Sequence, residues 1–278
     1  MSWDPAGEES GSSVRPITER TLRATLRAQD GVAIDAAYDP GRTPGGNVAI
    51  VLAHGFTGDL ERPHVRRAAA VFAQHAAVVT FSFRGHGRSG GRSTVGDREV
   101  LDLAAAVEWA RSLGHARVVT VGFSMGGSVV LRHAASHRGR TEARTDAVVA
   151  VSAPARWFYR GTAPMRRLHW VVTRPTGRMV GRLGLRTRIH PYDWDPVPLS
   201  PVESVPLIAP TPLLVVHGDR DPYFPVDHPR MLAEAARSQG GAGAELWLEP
   251  GMGHAEHAAS DALLDRIGTW AAAAGAAQ

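Results

Sequence analysis

Apolar residues along this chain fall into two alternating patterns: short unbroken runs, and longer segments with one apolar face. The runs Val48–Ala53, Ala77–Phe81, Arg117–Val121, Ala147–Val151, Pro212–His217 and Ala244–Leu248 have the length and β-branched content of strands buried in a parallel sheet. Between them lie helical segments. One is predicted from Pro63, a favoured first-turn residue, to about His75. A second starts at Asp97 as a capping residue, carries Val100, Leu103, Ala104, Val107 and Ala110 on one face, and ends before Gly114. Met125–His137, Val226–Ser238 and Ala258–Ala274 complete the set. At the start, Thr21–Ala28 and Val32–Tyr38 flank Gln29-Asp30-Gly31, the signal of a hairpin. Strands alternating with helices predict an α/β fold, with a mainly parallel twisted sheet, helices on both faces and an antiparallel hairpin at its start.

One stretch breaks the alternation. Ala155–Val205 is rich in Arg and Pro, and a structureless loop of that length is improbable inside a compact domain. It reads as a cap or lid. The expected organisation is a core of residues 17–154 and 206–278, a cap of 155–205, and a flexible polar leader of 1–16.

Composition changes the picture in three places. Cysteine is absent, which excludes disulfides, thiolate metal sites and cysteine nucleophiles. The N-terminus lacks a basic flank followed by an apolar stretch, and no run is long enough to span a bilayer, so a cytoplasmic location is expected. The isoelectric point near 10.2 suggests nucleic acid at first sight. Yet all 31 basic residues are Arg and the net charge is only +4, so almost nothing titrates between neutrality and high pH. No nucleic-acid partner is expected. The charge is instead local: nine Arg, from Arg156 to Arg188, stand in a stretch without Asp or Glu from Ala147 to Tyr192. Either this is a solvated face, or it meets anionic substrates or a membrane surface.

The chemistry concentrates at strand ends. Gly122-Phe-Ser124-Met-Gly126 lies where a strand hands over to a helix, a junction that strains the backbone and projects the Ser124 hydroxyl. A serine nucleophile needs a base, and the base needs an orienting acid. Gly218-Asp219-Arg-Asp221 and Gly253-His254 follow later strands, so Ser124, Asp221 and His254 come in the chain order that accompanies this elbow. His257 is the fallback base and Asp219 the competing acid. Gly55 after the first buried strand allows the Phe56 N–H to face the site, where with the Met125 N–H it would form an oxyanion hole. His54 reads as structural. Trp157, Phe158, Tyr159 and Trp194 in the cap are candidate substrate contacts.

Two other motifs are weaker. Gly85-His-Gly87-Arg-Ser-Gly90 matches a dinucleotide fingerprint formally, but no helix begins within it. His254-Ala-Glu256-His257 resembles half a zinc motif, but it lacks the usual spacing and a third ligand, so no metal is expected.

These segments together resemble the α/β-hydrolase superfamily over about residues 21–275, close to its serine esterase, monoacylglycerol-lipase-like and cinnamoyl-esterase-like branch. The resemblance rests on His54-Gly-Phe56, Arg84-Gly-His-Gly-Arg-Ser89, Gly122-Phe-Ser-Met-Gly126, Gly218-Asp-Arg-Asp221 and Gly253-His254. It implies the α/β-hydrolase fold with an inserted cap, Ser124 as nucleophile, His254 as base, Asp221 as its partner, and the Phe56 and Met125 N–H groups as oxyanion donors. One departure is that Ser82-Phe83 precedes Arg84, where such sequences often carry an Asp. The expected function is a serine hydrolase acting on a small-molecule carboxylic ester, with hydrophobic acyl or aryl groups and no cofactor. An acyltransferase, lyase or peptidase would use the same triad, and a non-catalytic binding protein could keep the fold. Oligomeric state is not readable.

Overall fold

In the computed structural model, residues 21–42, 46–237 and 243–276 are described. The expected flexible leader 1–16 lies outside them. Eight strands form one sheet: β1 (Leu22–Arg27), β2 (Ala33–Asp39), β3 (Val48–Ala53), β4 (Ala77–Phe81), β5 (Arg117–Phe123), β6 (Ala147–Val151), β7 (Leu213–Gly218) and β8 (Ala244–Glu249), in the spatial order 1-2-4-3-5-6-7-8. β1 and β2 pair antiparallel, as do β2 and β4; the remaining pairs are parallel.

The alternation of side chains along each strand builds a core on either face of this sheet. On one face Ile50 and Leu52 of β3, Val119 and Val121 of β5 and Val149 and Val151 of β6 pack against helices α1 (Pro63–Phe72) and α9 (Asp261–Ala276). On the other, Ala49, Val51 and Ala53 of β3 with Val148 and Ala150 of β6 meet α2 (Glu99–Ser112), α3 (Met125–His137) and α7 (Asp227–Arg237). Central strands buried on both sides are apolar at nearly every position, which is why they read as almost unbroken runs; the exceptions, Thr80, Thr120 and His217, are buried polar residues.

The order of strands also fixes where a ligand can sit. From β3 the chain goes to one side, to β4, and β5 then returns to the opposite side of β3. Such a reversal opens a crevice at the carboxyl ends of the two flanking strands. The loops carrying Gly55-Phe56 and Ser124 leave from those ends.

The stretch Ala155–Val205 is not structureless. It contains helices α4 (Ala163–Thr173) and α5 (Pro175–Leu183), each with Pro in its first turn, and ends with the short helix α6 (Pro201–Ser204). Thr162 caps α4 by accepting the Met165 N–H. The cap is tied down by a bridge between Ser93 and Ile189, and by the Trp194 indole, which donates to the Thr94 carbonyl at 2.7 Å. No helix among the described residues is long and apolar enough to cross a membrane.

Two expectations need correction. Asp97 does not cap α2; it faces Arg132 at 3.6 Å, and the preceding loop is organised instead by the buried Glu99. Glu99 accepts the N–H groups of Thr94, Val95 and Gly96 and the hydroxyls of Ser93 and Thr94. A long carboxylate side chain at the first position of a helix can reach back to several amides at once. The last helix also starts later than Ala258: the short α8 (Ala255–Ala258) ends at Ala259, which is extended at φ −65° and ψ 125°, and α9 begins only at Asp261.

Candidate active site

Ser124 stands between β5 and α3 at φ 52° and ψ −113°, a left-handed conformation that a non-glycine residue adopts only when its surroundings enforce it. Its N–H is held by the Val151 carbonyl at 2.9 Å. The two glycines around it answer to different neighbours. A Cβ on Gly122 would run into the Gly126 carbonyl, whereas one on Gly126 would run into the Ala53 carbonyl of β3. Glycine at 126 therefore serves the close approach of α3 to the neighbouring strand rather than the turn alone.

The tertiary fold brings Ser124, His254 and Asp221 into one hydrogen-bonded line. His254 Nε2 lies 2.9 Å from Ser124 Oγ, and His254 Nδ1 lies 2.7 Å from Asp221 Oδ2. Asp221 Oδ1 accepts the N–H groups of Tyr223 at 2.8 Å and Phe224 at 3.1 Å, so both carboxylate oxygens are engaged. Burial alone would raise the Asp221 pKa. The hydrogen bond and charge of His254, with the two backbone amides, outweigh it and hold the carboxyl below its ordinary range. An ionised Asp221 selects the Nδ1–H tautomer of His254, which leaves Nε2 free to take the Ser124 proton. Tyr223 stacks on the imidazole at 4.4 Å and Phe224 meets its edge at 5.6 Å, fixing the ring plane.

The competitors go elsewhere. Asp219 accepts the Gly251 N–H at 2.6 Å and so closes the loop that carries His254, without touching the imidazole. His257 stacks on His64 with ring centres 3.7 Å apart. His54 is structural, as expected: its Nδ1 contacts the Gly55 carbonyl at 2.7 Å and its Nε2 the Phe83 N–H at 3.0 Å. Burial, with His86 beside it, lowers its pKa to about 3, so the ring is neutral at pH 7. Where an Asp is often found, Ser82 ties the loop with neutral groups; its Oγ accepts the Leu60 N–H and its carbonyl accepts the Ser89 hydroxyl. The adjacent Arg84 is held by Asp102 and Asp30, which raise its pKa against the effect of burial.

Phe56 and Met125 both line the cavity beside Ser124. Met125 is the first residue of α3, and the first N–H groups of a helix have no intrahelical acceptor. Such an amide, with the helix dipole behind it, is suited to a developing oxyanion.

The cavity has a volume of about 640 Å³ and runs from Ser124 under the cap. All four cap aromatics singled out in the sequence reach it. Trp157 and Trp194 meet edge to face at 5.0 Å, Phe158 lies 5.6 Å from Trp194, and Tyr159 packs on His228 at 4.6 Å. Sequence reasoning missed Met165, Leu168 and Val172, which present one face of α4 to the same space. Their i, i+3, i+7 spacing was the available signal. It also missed Glu99, whose loop forms the opposite wall through Ser93, Thr94 and Val95.

Comparison with known proteins agrees with this fold. Residues 48–180 match the sequence profile of the α/β hydrolase fold. A monoacylglycerol lipase of Mycolicibacterium smegmatis is 27% identical over 274 residues, spanning 84% of this chain and 90% of that protein. An esterase of Pyrococcus furiosus superposes with a TM-score of 0.69 at 23% identity, covering 90% of each chain. Est1E of Butyrivibrio proteoclasticus, solved with ferulic acid bound, gives a TM-score of 0.60 at 20% identity over 92% of this chain and 100% of that one. The chain has the α/β-hydrolase fold. It is a hydrolytic enzyme, of the type to which these esterase and lipase relatives belong.

Proposed function

We propose that the protein hydrolyses carboxylic esters through an acyl-enzyme on Ser124. The observation that carries this reading is the unbroken line from Ser124 Oγ through His254 to Asp221 at the inner end of an apolar cavity. Ser124 attacks the ester carbonyl while His254 Nε2 takes its proton, and Asp221 stabilises the imidazolium that forms. The Phe56 and Met125 N–H groups receive the oxyanion. His254 then protonates the departing alcohol, and water, deprotonated by the same nitrogen, cleaves the acyl-enzyme.

The aromatic cap and the apolar face of α4 favour esters with hydrophobic acyl or aryl groups, because flat rigid side chains offer much contact area at low entropic cost. Arg156, Arg160 and Arg174 also border the cavity, against Asp193 as its one carboxylate. This adds a preference for substrates with a negative charge at the end remote from the ester. The same machinery would serve an acyltransferase, a lyase or a peptidase, and the direct test is chemical. A fluorophosphonate probe is expected to label Ser124 stoichiometrically and abolish p-nitrophenyl ester hydrolysis. Ser124→Ala is expected to lose about 10⁵–10⁶-fold in kcat with its circular dichroism unchanged. Normal turnover by Ser124→Ala would refute the assignment, and labelling without ester turnover would favour a non-hydrolytic acceptor or substrate.

A further inference from the structure

Behind the catalytic line lies a cluster that the proposed reaction does not use. His64, at the second position of α1, faces Glu256 and His257 of α8; one ligand atom from each lies within 4.8 Å of the others. His64 Nε2 is 3.7 Å from Glu256 Oε1. The half-motif His254-Ala-Glu256-His257 lacked a third ligand in the sequence, and the packing of α1 against α8 supplies it.

The polar groups here are poorly satisfied. The Glu256 side chain is only 3% exposed. Its Oε1 receives a long contact from the Gly55 N–H at 3.3 Å, and its Oε2 and the His64 Nε2 are buried with no hydrogen-bond partner. A buried carboxylate is costly unless a cation faces it, and the nearby guanidinium groups are engaged elsewhere. Arg62 pairs with Asp59 at 3.3 Å, and Arg67 binds Asp261 together with the carbonyls of Glu256 and Ala259.

We infer that His64, Glu256 and His257 form a binding site for a divalent transition ion of the zinc class. Two imidazoles and one carboxylate are a sufficient donor set for Zn2+, with water completing a tetrahedron on the exposed His257 side. Bonds of about 2.0–2.2 Å place tetrahedral ligand atoms roughly 3.3–3.5 Å apart, so the cluster needs to contract by about an ångström and unstack its two rings. The ion would staple α1 to the turn that follows His254. Glu256 would then hold the Gly55 amide, next to Phe56, from a fixed position. The site does not depend on the proposed ester chemistry.

The test uses tag-free, EDTA-treated full-length protein and Zn2+ itself, read by calorimetric titration and thermal unfolding. One ion per chain is expected, with unfolding shifted upward by about 5 °C at a Zn2+ concentration near 100-fold above Kd. His64→Gln and His257→Gln should each weaken binding at least tenfold and remove the shift, while both unfold normally in EDTA. His257 is exposed, so its replacement guards against a folding defect at His64. Absence of saturable binding overturns the inference. So does binding that survives both substitutions but disappears in His254→Gln, since the ion would then sit on the hydrolytic imidazole.

Discussion

At the scale of single residues, the two aspartates of the loop after β7 carry the sharpest contrast. They are two positions apart, both accept backbone N–H groups, and only Asp221 also meets His254. Asp221→Asn can present its amide to the imidazole and favour the wrong tautomer, so kcat should fall by about 10⁴-fold. Asp219→Asn keeps an oxygen for the Gly251 N–H and should change kcat by less than about threefold. Equal losses in p-nitrophenyl butyrate turnover would show that the loop, not the carboxylate, sets activity. The choice between these aspartates was open in the sequence, because side-chain direction within a tight turn depends on which backbone amides it closes.

At the scale of elements, the strand-to-loop junctions and the break at Ala155–Val205 were legible, and the helices inside that segment were not. β3, β4 and β6 coincide with their predicted runs because strands buried on both faces are apolar at nearly every position. α4 and α5 were hidden within Ala155–Val205 by Pro, Gly and Arg; they pack on each other, and α4 turns an apolar face to the cavity. Trp194 joins this cap to the Glu99 loop through its indole and walls the cavity beside Trp157. Trp194→Ala should therefore lower kcat/KM for long-chain or aryl esters by about 10- to 100-fold, the scale of one lost aromatic contact. Acetate esters should change by less than about threefold. A flat chain-length profile in the parent enzyme would assign these aromatics to the interior of the cap alone.

At the scale of the whole molecule, two electrostatic consequences follow. Of the nine cap arginines, Arg156 pairs with Asp227 at 3.0 Å, and no other forms an ion pair among the described residues. Asp193, Asp195 and Glu203 do not neutralise the cluster; Glu203 is turned back onto Ser200. The KM of an anionic ester should therefore rise with salt as screening shortens to ~10 Å at 0.1 M, while that of a neutral ester stays level. Equal salt dependence for both esters would reduce the arginines to a solvated face. The second consequence concerns acid. Burial lowers the pKa of His54 to about 3 and of His86 and His228 to about 4. The unfolded chain binds these protons from about pH 6.5 downward and the folded chain does not, so stability falls with pH between about 6.5 and 4. Each group contributes at most about 1.4 kcal/mol per pH unit over that window. Asp221, with its depressed pKa, adds a loss only below the ordinary carboxylate range. The unfolding midpoint should drop steadily from pH 6.5 to 4.5, and a level midpoint would show that these imidazoles take up protons without cost.

Local sequence patterns were enough to place the sheet, the strained turn at Ser124 and the order of Ser124, Asp221 and His254 along the chain. These rest on local physics: apolar runs that fit a doubly covered strand, and glycines where a side chain would meet backbone. Packing in three dimensions set the rest: Asp221 rather than Asp219 faces His254, Glu99 rather than Asp97 orders the loop before α2, and His64 lies against Glu256 and His257. Each is a contact between segments far apart in the chain or a direction within a turn. Neither leaves a periodic trace in the sequence, because it is set by how the layers pack.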